Sequence, residues 1–114
     1  MPKTTAETAI CTYRVKPGKT KAFMALLERH WPMLRRLGFV TKEPAVVYRG
    51  LPAEPGKEEH AAGPSTFVEI FSWKDAQSVE AAHHRPELLK IWEPMGQLCE
   101  SMDFPHFERL DFGK

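Results

Sequence analysis

Two adjacent histidines, His83 and His84, stand in the run AAHHRPELLK just ahead of Pro86. An imidazole titrates near neutrality, so one facing a dry pocket can exchange a proton with a bound phenol or enol. Ala76, Val79 and His83 are spaced i, i+3, i+7, which carries an apolar stripe to His83 and turns His84 off it. The same pair falls in the last turn of a helix, where histidine interacts well with open carbonyls and the helix dipole. Two readings therefore stand. Either His83 is a proton-transfer group with His84 assisting, or both only finish a helix.

Other side chains invite the same question. Cys11 and Tyr13 share one face of a strand, and the Tyr13 hydroxyl would either orient a ligand or be bonded within the core. Cys11 has no basic neighbour in sequence to lower its pKa, which argues against a nucleophilic thiol. Trp92 is read as a core residue that would wall a pocket. His30, between Leu27 and Leu34 on a helical stripe, is expected to be buried and bonded to backbone. Glu69 lies amid Phe67 and Phe71 and needs a partner if buried, with Arg14 and Arg49 the expected ones. His106 shares a strand face with Phe104 and Glu108 and is assigned to a seam between protomers. His60 sits with Glu58 and Glu59 in a solvated loop.

Several classes are disfavoured. No HxxxH, HxH or HExxH spacing supports a metal site. There is no glycine-rich phosphate loop, serine-elbow motif or basic patch with interleaved aromatics. The formal net charge of +1 supplies no field to attract nucleic acid. No apolar run approaches the roughly 20 residues of a membrane helix, and no secretory leader is seen. Cys11 and Cys99 form neither a disulfide framework nor a zinc pattern and are read as free thiols in a reducing cytoplasm. At 114 residues the chain suits a single domain, 1–114.

The elements that must position these residues follow from periodicity. Residues 9–15 read as a strand, closed by the turn signal Lys16-Pro17-Gly18. Phe23, Leu26, Leu27, His30, Leu34 and Leu37 form one helical stripe. Pro32 should kink or split that helix near Trp31, and Gly38 sits where a C-terminal glycine belongs. Residues 45–49 read as a second strand that begins after Pro44 or lies at an edge, with an edge segment from Phe39 before it. Residues 50–64 hold three prolines and three glycines and read as a long exposed loop. Residues 66–73 are apolar on both faces, which marks a central, doubly covered strand. A second helix begins near Lys74 and restarts at Pro86, a favoured first helical position, and Pro94 should bend or break it. Residues 103–110 close the domain as a last strand. Strand, helix, strand, strand, helix, strand is the split βαβ order: an α+β, ferredoxin-like fold, a four-stranded antiparallel sheet with two helices on one face. The sheet's other face then needs cover, and a second protomer is the simplest.

The run Arg14-Val15-Lys16-Pro17-Gly18-Lys19 with Phe23, and later Phe71-Ser72-Trp73-Lys74 with Ala82-His83-His84, resembles the antibiotic biosynthesis monooxygenase-like family of dimeric α+β barrels. The resemblance spans about residues 7–110. It implies a homodimer and a pocket between the sheet and the second helix. It implies a cofactor-independent monooxygenase acting on a small aromatic or quinol-like molecule, with His83 and Tyr13 catalytic and His84, Trp92 and Cys11 against the substrate. The alternative is a non-enzymatic small-molecule-binding or stress-related homodimer of the same fold. Haem-degrading members use an asparagine, a tryptophan and a histidine. This chain has no asparagine, and Cys11, Ala82 and Trp92 stand at those three positions, so the resemblance does not extend to haem and no cofactor is expected.

Overall fold

The computed structural model of the protein describes residues 6–51, 64–110 and 112. Strand β1 spans Glu7–Val15, helix α1 Thr20–Leu37, strand β2 Val46–Arg49 and strand β3 Ser65–Trp73. Helices α2, Ala76–Ala82, and α3, Pro86–Leu98, follow, then strands β4, Cys99–Asp103, and β5, His106–Phe107. The sheet runs β2-β3-β1-β4, with β5 also pairing β1, and every pairing is antiparallel. This is the α+β architecture expected.

The long β1–β3 pairing sets the register of the site. Cys11 lies opposite Glu69 and Tyr13 opposite Phe67. Alternation then puts Cys11, Tyr13, Val15, Phe67, Glu69 and Phe71 on the helix-covered face, where all are buried. The opposite face carries Ile10, Thr12, Val68 and Ile70, half-buried in the single chain. β2 adds Val46 and Tyr48 beside Ile70 and Val68, and both stand exposed. The double cover expected for β3 is therefore complete on one face of this chain only.

Helix α1 buries Phe23, Leu27, His30 and Leu34 along its stripe. It runs through Pro32 unbroken, so the expected split does not occur. A proline removes one donor and strains one turn, but apolar anchors on either side hold the helix together. α3 likewise continues through Pro94. The second helical region does break at Arg85, whose extended backbone suits a residue before proline, and Pro86 opens α3. The last strand is divided rather than continuous over 103–110. Pro105 has no N–H to donate to a ladder, so β4 ends at Asp103 and pairing resumes at His106. The carbonyl of Pro105 still accepts from the Ile10 N–H at 3.1 Å. Val40 bridges Trp73, which is the edge segment expected near Phe39. Most of the 50–64 loop and His60 lie outside the described residues.

Gly38 ends α1 at φ 85°. Its N–H reaches the Arg35 carbonyl at 3.1 Å, and the Phe39 N–H reaches Leu34 at 3.0 Å. A Cβ there meets nothing within 4 Å, so only backbone strain opposes substitution. Gly38→Ala is expected to cost about 1 kcal/mol, read as a lower urea midpoint with an unchanged m-value.

Candidate functional site: an apolar cavity walled by a buried polar chain

The register places a carboxylate at the centre of the helix-covered face. Glu69 is 1% exposed, and an unpartnered charge there would cost several kcal/mol. Its partners come from two other elements. The Tyr13 hydroxyl donates to Oε1 at 2.7 Å. His30 Nδ1 lies 2.9 Å from Oε1 and 3.1 Å from Oε2. On the far side of the ring, the Trp92 indole N–H donates to His30 Nε2 at 2.8 Å. An indole nitrogen can only donate, so Nε2 must be the acceptor and Nδ1 carries the hydrogen toward Glu69. The direction of the chain is thereby settled: Trp92 donates to His30, His30 to Glu69, and Tyr13 to Glu69 from the other side. It ties α3, α1, β3 and β1 together.

This overturns two expectations. Arg14 and Arg49 are not the partners of Glu69. Arg14 pairs with Glu100 at 3.2 Å on the exposed side, and the Arg49 guanidinium lies over the Phe67 ring at 5.9 Å. His30 is buried as expected but is bonded to side chains, not to backbone. Glu69 and His30 are the residues to which sequence reasoning gave the wrong partners. The available signal was a histidine on the α1 stripe and a carboxylate on an apolar strand, each in need of a partner.

Beside the chain lies a cavity of about 190 Å³, bounded by β1, β3, α1, α3 and the end of α2. Ala9, Cys11, Phe71, Trp73 and Met95 are among its apolar walls. Tyr13, His30 and Trp92 line it too. Its exposed lining residues are His83, Phe104 and His106, which mark the mouth. The volume slightly exceeds the roughly 150 Å³ of an apolar cavity that binds benzene, so one or two fused rings fit.

The structure brings Cys11, Tyr13, His83 and Trp92 to this one cavity, and leaves His84 outside it. His84 is exposed and faces Glu80 at 3.3 Å, one helical turn back; α2 buries Ser78 and Ala82 rather than the expected Ala76–Val79–His83 stripe, and His83 itself is exposed at the cavity mouth. His83 has both features first weighed for it. Its Nδ1 bonds to the Val79 carbonyl at 2.8 Å at the end of α2, and its ring lies 5.2 Å from that of Trp92 at the cavity. A carbonyl can only accept, so Nδ1 bears the hydrogen and Nε2 is left as the ring's acceptor. The helix-end bond and a proton-accepting nitrogen are one arrangement. His106 lines the mouth, with Nδ1 2.8 Å from Glu7 Oε1.

Burial and the Glu69 carboxylate push the Cys11 thiol up to about 12, so it remains a neutral, poorly nucleophilic group. Burial, the carboxylate and the bond donated to it also raise Tyr13 well above the usual phenol range. Its hydroxyl is spent on Glu69, so Tyr13 positions the chain and does not offer a proton to a ligand. Among the described residues no three His, Cys, Asp or Glu side chains gather as a metal site. No helix among them is long and apolar enough to cross a membrane.

No family model matches the chain, and no curated protein matches it by sequence. Solved structures do match its fold. SnoaB, a cofactor-independent oxygenase from Streptomyces nogalater, superposes in a mutant form with a TM-score of 0.66 at 13% identity, over 96% of this chain and 98% of that one. A candidate antibiotic biosynthesis monooxygenase from Nitrosomonas europaea gives 0.70 at 15% identity, over 96% and 95%. Another from Chloroflexus aurantiacus gives 0.63 at 19% identity, over 96% of both chains. The chain thus has the fold of the antibiotic biosynthesis monooxygenase-like proteins along nearly its whole length.

The raised pKa values fix a pH dependence. The unfolded thiol and phenol ionise at their ordinary values of 9.0 and 10.0, while the fold keeps both protonated to higher pH. Above about pH 9 the unfolded chain binds fewer protons than the folded one, so stability falls as pH rises. Each group adds about 1.4 kcal/mol per pH unit to that fall once its unfolded form is ionised. Urea midpoints measured from pH 7 to 11 are expected to stay level and then drop, and Tyr13→Phe or Cys11→Ala to flatten the drop.

Proposed function

We propose that the protein is a cofactor-independent monooxygenase acting on a small aromatic or quinol-like molecule, and that it works as a homodimer. One observation carries the reading. An apolar cavity of one- to two-ring size has a histidine at its mouth, His83, whose Nε2 is left as an acceptor by the bond from Nδ1 to Val79. The match in fold to a cofactor-independent oxygenase supports it by analogy.

The chemistry needs little from the protein. His83 Nε2 takes the proton of the substrate's phenol or enol hydroxyl, and the imidazolium is stabilised by the Val79 carbonyl and the end of α2. The resulting anion carries electron density onto a ring carbon that bears hydrogen. That carbon gives its electrons to dioxygen and a C–O bond forms. The imidazolium returns its proton to the peroxide, and loss of water from the hydroperoxide leaves a carbonyl. A CH₂ in the keto form becomes C=O, one oxygen atom enters the product and the other leaves as water. The substrate is the only reductant. The dry wall formed by Phe71, Trp73 and Met95 would keep the anion from being quenched by water.

The uncovered sheet face supports the homodimer. Ile10, Val68 and Ile70 form an apolar strip there, flanked by Val46, Tyr48 and Phe107 at 47%, 59% and 48% exposure. Contiguous apolar surface of this kind marks an interaction site. Ile70→Lys is expected to convert a dimer in sedimentation equilibrium to a monomer.

The alternative is a non-enzymatic binding dimer, favoured by the full internal satisfaction of the Tyr13–Glu69–His30–Trp92 chain. His83→Gln separates the two. Oxygen uptake with naphthols and quinols as substrates is expected to fall at least about 100-fold, the usual contribution of a positioned base, with the unfolding midpoint little changed. Ligand binding with no oxygen uptake by the wild-type protein would sink the oxygenase reading.

A further inference from the structure

The hydrogen-bond polarity of the cavity narrows what it can hold, an inference that rests on the reading of this cavity as a substrate site. Three imidazoles line it, and each has its Nδ1 hydrogen tied down. His30 donates to Glu69, His83 to the Val79 carbonyl, and His106 to Glu7 Oε1. In the neutral ring each Nε2 is therefore an acceptor. That of His30 is already filled by Trp92. Those of His83 and His106 have no hydrogen-bond partner among the described residues, and both residues line the cavity and stand exposed at its mouth.

Donors are scarce by the same accounting. The Tyr13 hydroxyl and the Trp92 N–H, the two strong donors beside the buried carboxylate, are spent within the wall. The Trp73 N–H has no hydrogen-bond partner among the described residues, but it is buried, out of reach of a water-sized molecule. Cys11 offers only a weakly donating thiol. The described lining thus presents two acceptors at its mouth and no strong donor that is both unpartnered and accessible.

We propose that His83 and His106 form a paired acceptor subsite that selects an aromatic bearing two hydroxyl groups and discriminates against the corresponding dione. A hydroxyl donates to an imidazole Nε2. A quinone oxygen of the same size and position can only accept, so it sets lone pair against lone pair. A site built to hold a donor disfavours an analogue without one. The consequence for turnover is directional. The reduced form is retained, and an oxidised product that has lost its hydroxyl donors leaves. His106 thereby gains a role distinct from the proton transfer assigned to His83: it fixes which end of the ligand faces outward.

The test is anaerobic calorimetry with purified protein and three probes of one skeleton: naphthalene-1,4-diol, 1,4-naphthoquinone and naphthalene. The diol is expected to bind about tenfold or more tighter than the quinone, from two hydrogen bonds of ordinary net strength. His106→Phe should cut that preference to roughly threefold while leaving naphthalene affinity near its wild-type value, which also shows that the cavity is intact. His83→Phe should act similarly, and the double variant should abolish the preference. Equal or tighter binding of the quinone overturns the inference, as does a preference that survives the double variant. Oxygen is absent from this experiment, so its outcome is separate from that of the oxygenase reading. A diol preference without aerobic oxygen uptake leaves the subsite standing and removes the oxygenase. Oxygen uptake without a diol preference does the reverse.

Discussion

The carboxylate of Glu69 constrains the rest of this structure. A charge buried to 1% exposure on a central strand is tolerated only if donors reach it with good geometry. Among the described residues, no lysine or arginine is a hydrogen-bond partner of Glu69. The donors are neutral: a phenol from the neighbouring strand and an imidazole from α1, at 2.7 and 2.9 Å. Supplying them fixes the β1–β3 register, since a slip of one residue would turn Tyr13 to the opposite face. It also fixes the rotation of α1, since only one face of that helix holds His30. Trp92 then completes the second ring nitrogen and locks α3 against α1. Four elements are placed by one anion. A buried network of this kind is costly when any member is lost, and it specifies a single arrangement when all are present.

Much of the fold was legible because it depends on periodicity. The α1 stripe, the two faces of β1 and β3, the glycine that ends α1 and the proline that opens α3 are local signals, and each has a local cause. The failures were also local in origin. Pro32 and Pro94 argue for breaks that tertiary packing overrides. Pro105 divides a strand that alternation alone would run on to residue 110.

The site was legible in its members and not in its wiring. Cys11, Tyr13, His83 and Trp92 meet at one cavity, because strand parity and helical spacing give faces directly. Partners are a different matter. Arg14 and Arg49 were natural counter-ions for Glu69 by charge, yet Arg14 sits one residue off the face of Cys11 and Tyr13, and the register that carries Glu69 inward turns it away. The true partner, His30, lies 39 positions away on a helix. A sequence states that a buried histidine and a buried carboxylate each need company. It does not state that they are each other's, because the distance between strand and helix is set by every side chain packed between them. His84 shows the same limit from the other direction: adjacency to His83 suggested a shared role, while the roughly 100° between successive helical residues separates them.

The persistence of an open cavity follows from where large and small side chains fall. β1 presents Ala9 and Cys11 to the helices, and small residues there leave room that a leucine would fill. The opposite walls are Trp73, Trp92 and Phe71, rigid rings that close a gap only by swinging. Trp92 is not free to swing, because moving it would strip the acceptor His30 of its donor and leave an imidazole nitrogen buried and unbonded. The polar chain is thus what keeps the apolar space from collapsing. The wall is held by its own hydrogen bonds, and the lining it presents to the cavity is largely apolar. A site arranged in this way can hold an apolar ring by shape and leave orientation to the few polar atoms at the mouth, where His83 and His106 stand.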